Sequence, residues 1–255
     1  MQKSASIMSD NNSLRRLLVI PVYDEIGKIG RVLSKFTSPM VDEICLIVDS
    51  PTKTILREIK NAEGEISIPI NIIRNVQRKG IGYAIRKGIN YALKNEFDII
   101  VVMAGNDKDD PSQIPRLLTP IVKEDYDYVQ GSRFMHGGRR KRNPVLRGIF
   151  SRVYPFVWTL FTNTRCTEVT NGFRAYKASI FSDKRINIWQ EWLDGYGLEY
   201  YVHYKVLTLG YKTKEVAVSK LYSHKRGERY SKISPLKDWW DIVRPLIYLK
   251  TGSKT

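Results

Sequence analysis

Apolar runs of strand length recur four times between Leu17 and Met103, at Leu17–Val22, Glu43–Val48, Ile68–Arg74 and Asp98–Met103. Segments with helical spacing separate them. Asp24–Phe36 places Ile26, Ile29, Val32, Leu33 and Phe36 on one face, Thr52–Asn61 reads as helical, and Gly82–Lys94 repeats Ile85, Ile89 and Leu93. A run that is apolar at nearly every position suits a strand covered on both faces, and a helical segment between two such runs suits a crossover. Four units of this kind predict an α/β fold with a mostly parallel, doubly wound central sheet flanked by helices. In such a sheet, ligands gather outside the carboxyl ends of the strands.

The second half is less regular. Tyr126–Ser132 and Lys212–Val218 read as strands, and Glu199–Leu209 as a helix closed by Gly210. Leu146–Phe161 reads as an aromatic, amphipathic helix that Pro155 would kink or break. No repeat or linker divides the chain, so the expected organisation is a polar tail over 1–16, one domain over 17–240 and an aromatic, basic tail over 241–255. Trp239-Trp240 and Pro245–Lys250 suit packing on the core or, alternatively, anchoring at a lipid headgroup layer.

The net charge of +16, from 42 Lys and Arg against 26 Asp and Glu, predicts attraction to polyanions such as nucleotide diphosphates, nucleic acid or anionic headgroups. Its densest cluster is Arg139-Arg140-Lys141-Arg142, expected in a solvated loop. No helix-turn-helix, zinc spacing or aromatic–basic interleaving is present, so a nucleic-acid partner is not expected. The two cysteines, Cys45 and Cys166, are too few for a disulfide framework and fit a reducing, cytoplasmic setting. The polar start carries no signal peptide, and no run reaches bilayer-spanning length, which predicts a soluble or peripheral protein.

The run Phe97–Met103 ends abruptly in Ala104-Gly105-Asn106-Asp107-Lys108-Asp109-Asp110-Pro111. Small residues let a ligand approach the backbone, and oxygen-bearing side chains suit a diphosphate-bound cation. The plainer alternative is a turn in which Asp109 or Asp110 caps the helix before Pro111.

In order along the chain come Val19-Ile20-Pro21-Val22-Tyr23-Asp24-Glu25, Leu46-Ile47-Val48-Asp49-Ser50, Arg78–Gly88, the acidic loop, Gly131-Ser132-Arg133-Phe134, Thr170–Tyr176 and Arg226–Lys232. Together these seven blocks resemble a family 2 glycosyltransferase of the GT-A fold, most closely its dolichol-phosphate mannose synthase branch. The resemblance implies an inverting enzyme that transfers sugar from an NDP-sugar, with GDP or UDP as carrier, to a polyprenyl phosphate. Transfer to a sugar hydroxyl and a nucleotide-binding, non-catalytic homologue remain alternatives. The resemblance also implies that Pro21, Tyr23, Glu25, Val48 and Asp49 line the nucleotide pocket. Gly80 would bring helix amides to a phosphate, with Arg78 or Lys79 nearby. Arg133, Arg229 and Lys232 would approach the diphosphate or acceptor phosphate, with Arg226 an alternative to Arg229. Glu199 or Asp194 would serve as general base if the acceptor is a hydroxyl, a role that an anionic phosphate acceptor does not need.

One departure bears on chemistry. The family's loop reads Asp-x-Asp and holds Mg²⁺ or Mn²⁺, whereas Ala104, Gly105 and Asn106 stand here. Either Asn106 with Asp107 still holds a divalent cation weakly, or Lys108, with Arg133 and the basic C-terminal segment, neutralises the leaving diphosphate itself. The second reading predicts reduced or absent metal dependence. Peripheral contact with a membrane is expected from the basic loop and the aromatic helix around Val153–Trp158.

Overall fold

The computed structural model describes residues 14–141, 145–221 and 238–254. The first half runs β1 (Arg16–Val22), α1 (Ile29–Leu33), β2 (Glu43–Asp49), α2 (Lys53–Glu63), β3 (Ile70–Asn75), α3 (Ile81–Lys94) and β4 (Ile99–Val102). The second runs α4 (Ile114–Glu124), β5 (Tyr128–Ser132), β6 (Arg139–Lys141), α5 (Val145–Thr162), β7 (Arg174–Lys177), α6 (Gly197–Thr208), β8 (Thr213–Ala217), β9 (Ser219–Leu221) and α7 (Asp238–Thr251).

The central sheet has the order β3-β2-β1-β4-β7-β5-β8. Its first four strands are parallel, as the alternation of apolar runs and helices requires. β7 is antiparallel to both β4 and β5, and β8 returns parallel to β5, so the sheet is mixed. Period-two alternation divides the strands between two cores. Leu18, Ile20, Ile44, Leu46, Val48 and Val101 pack with α1, α2 and α4, while Leu17, Val19, Cys45, Ile47, Ile100 and Val102 pack with α3 and α6. β1, β2 and β4 are therefore apolar on both faces, and their polar groups are confined to the strand ends.

α5 continues through Pro155. Its buried side binds it to the body: Tyr154 and Trp158 pack with Tyr200, Ile242 and Leu246, and Tyr154 Oη donates to the Ile242 carbonyl at 2.7 Å. Such tertiary packing outweighs the local cost of one proline. The expected tail over 241–255 falls largely within the docked helix α7, and Trp239 stacks on Phe150 with ring centroids 5.1 Å apart. Part of the expected basic loop, Arg139–Lys141, is strand β6, paired in parallel with β9.

α3 lies so close to β1 that a Cβ on Gly88 would come within 2.3 Å of Val19 Cγ1. Val19 is β-branched and fully buried, so it cannot swing aside. Gly88→Ala is expected to destabilise the fold by about 1–3 kcal/mol through overpacking, and Val19→Ala in the same chain should recover part of that loss. Urea unfolding of both single variants and the double variant tests this, and strictly additive effects would show that this contact does not set the packing.

Candidate active site

The carboxyl ends of β1, β2, β4 and β5 open on one cleft, closed from the other side by the loop before β7 and the start of α6. Pro21, Tyr23 and Glu25 line it just beyond β1. Glu25 is nearly buried, its carboxylate accepts from Lys28 Nζ at 3.3 Å, and its carbonyl takes the amides of Lys28 and Ile29. The Tyr23 ring lies 4.3 Å from the Arg78 guanidinium. At the end of β2, buried Asp49 accepts a 2.7 Å hydrogen bond from Asn75 Nδ2 and faces the cleft. Val48 does not face it: strand alternation turns this side chain into the core with Ile44 and Leu46.

Gly80 borders the cleft, and of the Arg78–Lys79 pair only Arg78 does; the Lys79 ammonium sits over the Tyr83 ring at 4.9 Å. One first-turn amide of α3, that of Tyr83, already donates to the Asp194 carbonyl at 3.1 Å, so the expected phosphate cradle is partly occupied by protein.

Ala104, Gly105, Asn106 and Lys108 all line the cleft after β4. Asn106 Oδ1 is buried with no hydrogen-bond partner among the described residues. Asp107 turns outward at φ 59° and pairs with Arg31 at 2.7 Å and Lys35 at 2.5 Å. Burial pushes its carboxyl up, but these two cations outweigh burial and hold it below its ordinary value. Asp109 is buried on Lys220, and Asp110 accepts the Ser112 amide at 3.0 Å as the cap of the turn beginning at Pro111. A hard divalent cation takes six or more oxygens, often carboxylates. The loop offers one neutral amide oxygen, while Asp107 and Asp109 are committed to cations. No cluster of three or more His, Cys, Asp or Glu able to hold a metal occurs among the described residues. The expected pairing of Asn106 with Asp107 around a metal does not fit this donor set.

The opposite wall is built from buried charge. Arg133 lines the cleft, but its fork is engaged by Glu168: Nε reaches Oε2 at 2.6 Å and Nη2 reaches Oε1 at 2.9 Å, with Thr170 Oγ1 at 2.7 Å. Nε and Nη2 of this fork are thus held inside the wall, because a buried guanidinium needs its own carboxylate. Burial raises the Glu168 carboxyl, and the charge and hydrogen bonds of Arg133 more than reverse that, keeping it below its ordinary value.

Asn171 is fully buried, donating Nδ2 to the Gly131 carbonyl at 2.9 Å and accepting from Lys220 Nζ at 3.0 Å. Arg174 ties this loop to α6 by donating to the carbonyls of Asn171, Val169 and Glu199. Glu199 lines the cleft beside Gly172, where a Cβ would come within 2.5 Å of its Oε1. Burial pushes the Glu199 carboxyl up, opposed by Arg174 and Lys220 and reinforced by Asp109. Asp194 pairs with Arg86 and does not line the cleft, which separates the two candidate bases. Arg226, Arg229 and Lys232 lie outside the described residues.

Lys220, Glu168, Tyr196 and Tyr200 escaped the sequence reading. Lys220 left one trace: it shares strand parity with Val216 and Val218, an inward position where lysine is unexpected. Glu168 left none, since its partner lies 35 residues away.

The chain belongs to glycosyl transferase family 2, whose model matches residues 17–184. It is a glycosyltransferase of the GT-A fold. An undecaprenyl-phosphate mannosyltransferase of Micrococcus luteus is 24% identical over 206 residues, covering 81% of this chain and 83% of the relative. A polyprenol monophosphomannose synthase of Mycolicibacterium smegmatis is 22% identical, covering 80% of this chain and 77% of the relative. Among solved structures, glucosyl-3-phosphoglycerate synthase of Mycobacterium tuberculosis in complex with Mg²⁺ and UDP superposes with a TM-score of 0.65 at 15% identity, covering 95% of this chain and 81% of that one, a likeness of fold.

Glu168→Gln is expected to cost about 3 kcal/mol of stability at pH 7, because it strands a buried Arg133 charge. A carboxyl held low in the folded state lends stability above its unfolded pKa, about 4.3, and loses it as pH falls toward the folded value. The gap between the two chains should therefore narrow below about pH 4. Denaturant midpoints at pH 7 and pH 3.5 measure it, and an unchanged gap would count against the ion pair.

Proposed function

We propose that the enzyme transfers a sugar from an NDP-sugar to a polyprenyl phosphate. The observation that carries this reading is that Pro21, Tyr23, Glu25 and Asp49 on one wall and Arg133, Thr170 and Lys220 on the other line a single cleft. The first set suits a nucleoside, the second an anion, and the space between them an in-line approach to the anomeric carbon. Relatives named for undecaprenyl, polyprenol and dolichyl phosphate support the lipid acceptor.

Peripheral membrane contact is part of the proposal. Ile149, Val153, Phe156 and Leu160 recur at helical spacing on α5, each more than half exposed. The helix's inner side packs Tyr154 and Trp158 on Tyr200, which lines the cleft. A lipid resting on this ridge would thus lie on the outer face of the helix whose inner face packs against the cleft. No helix among the described residues is long and apolar enough to cross a membrane. The free, buried Cys45 and Cys166 accord with work at the cytoplasmic face. For the donor's charge, the cleft offers Lys108 and Arg78 where the family's metal loop is altered.

Radiolabelled sugar from GDP- or UDP-linked donors should enter an acid-labile lipid phosphate, and its appearance only in an acid-stable glycan would reject the lipid acceptor. Phe156→Ser with Leu160→Ser should weaken binding to anionic vesicles at least about tenfold, from the apolar area lost, without lowering thermal stability. Unchanged co-sedimentation would remove the ridge from the membrane.

One observation favours the second reading, transfer to a sugar hydroxyl: Glu199 lies in the cleft with its carboxyl pushed up by burial, as a general base requires. Under that reading Glu199→Gln should cut kcat by about 10²–10⁴, and activity of the unaltered enzyme should rise with pH as this carboxyl ionises. With a phosphate acceptor, kcat should stay within a few-fold. Steady-state assays of the variant over pH 5–8 separate the two.

A further inference from the structure

The cleft lacks the family's metal-holding carboxylates but contains a lysine that the sequence motifs did not flag. Lys220 is 8% exposed and borders the cleft together with Ala104, Asn106 and Lys108. β9 delivers it there by pairing with the altered loop itself. Asp109 and Lys220 form an antiparallel bridge, and the Leu221 amide donates to the Lys108 carbonyl at 2.9 Å. The Lys220 ammonium is held by both oxygens of Asp109, at 2.8 and 2.9 Å, and by Asn171 Oδ1 at 3.0 Å.

The arrangement has a direction. The Asp109 side chain is wholly buried and does not line the cleft, whereas Lys220 does, so the pair presents its positive end to the cavity. A buried ammonium costs too much to keep without its carboxylate, which accounts for Asp109 at its back. Its third contact, Asn171, is a neutral acceptor, and an anionic oxygen outcompetes a neutral one for an ammonium proton.

We infer that Lys220 is a built-in cation for the donor's diphosphate, exchanging Asn171 for a phosphate oxygen and stabilising the charge that develops as the sugar leaves. This inference rests on the donor-site reading above. It assigns to a side chain on β9 the neutralising role for which the Ala104–Asn106 loop has no carboxylates to hold a cation. Asp109 and Asn171 are then positioning residues, and Lys108 contributes charge from the same loop.

Calorimetric titration of the full chain with UDP, GDP and the matching nucleosides, in excess EDTA and again in Mn²⁺, tests it. The principal variant is Lys220→Gln with Asp109→Asn, which keeps amide hydrogen bonds while removing both charges. The second is Lys220→Met with Asp109→Leu, an apolar pair that folds if the amide pair does not. Expected is diphosphate binding in EDTA by the unaltered chain, weakened about ten- to a hundredfold in either variant, with nucleoside affinity unchanged. Transfer by the unaltered enzyme should persist in EDTA. Diphosphate affinity unchanged in a folded variant, or diphosphate binding abolished by EDTA in the unaltered chain, overturns the inference alone. Failure of the unaltered chain to bind any nucleoside diphosphate, with or without Mn²⁺, overturns the donor-site reading and the inference with it.

Discussion

A sheet covered on both faces has no room for chemistry in its middle. β1, β2 and β4 are apolar at nearly every position because α1, α2 and α4 close one side and α3 and α6 the other. Any polar function must therefore sit beyond the strand tips, and parallel strands put those tips on one edge. The cleft follows from this: Tyr23, Asp49 and Asn106 stand at or just beyond the tips of three different strands, and the parallel register of those strands brings them to one cavity.

The other wall is assembled differently. β7 enters antiparallel between β4 and β5, so the chain leading into it, from Glu168 to Gly172, arrives at the same edge from the opposite direction. That segment is polar and buried, and each of its groups needs a partner. Arg133 answers Glu168, Arg174 gathers three carbonyls, and Asn171 joins β5 to Lys220. These contacts do more to fix one conformation of the wall than to stabilise the fold, since the desolvation of buried ions offsets much of their attraction.

This difference explains what could be read from the sequence. Hydrophobic period alone locates the first four strands and α3 closely, and Thr52 caps α2 with its hydroxyl on the Ile55 amide. The misreadings there are local. α1 is only Ile29–Leu33 because the backbone turns at Glu25–Lys28 and leaves Ile26 half exposed, and β3 begins at Ile70 because Pro69 cannot join the ladder early. The wall opposite is another matter. Lys220 and Asp109 are 111 residues apart and Arg133 and Glu168 are 35 apart, so no window of sequence holds both partners. Motif order brought Arg133 and Glu199 into view but not the partners that determine what each is free to do. The resemblance also points to Val48, and Asp194 is an alternative to Glu199, but strand parity and the Arg86 pair put the two elsewhere.

Asp107 has a quieter consequence. By gripping Arg31 and Lys35 it rivets the loop after β4 to α1 from the outside, at a left-handed residue that would otherwise be a pivot. A segment tethered in this way surrenders its conformational entropy during folding rather than at the moment of ligand capture. The cradle is thus preorganised, and the ordering that a bridging ion would otherwise impose on such a loop is already complete when the ligand arrives.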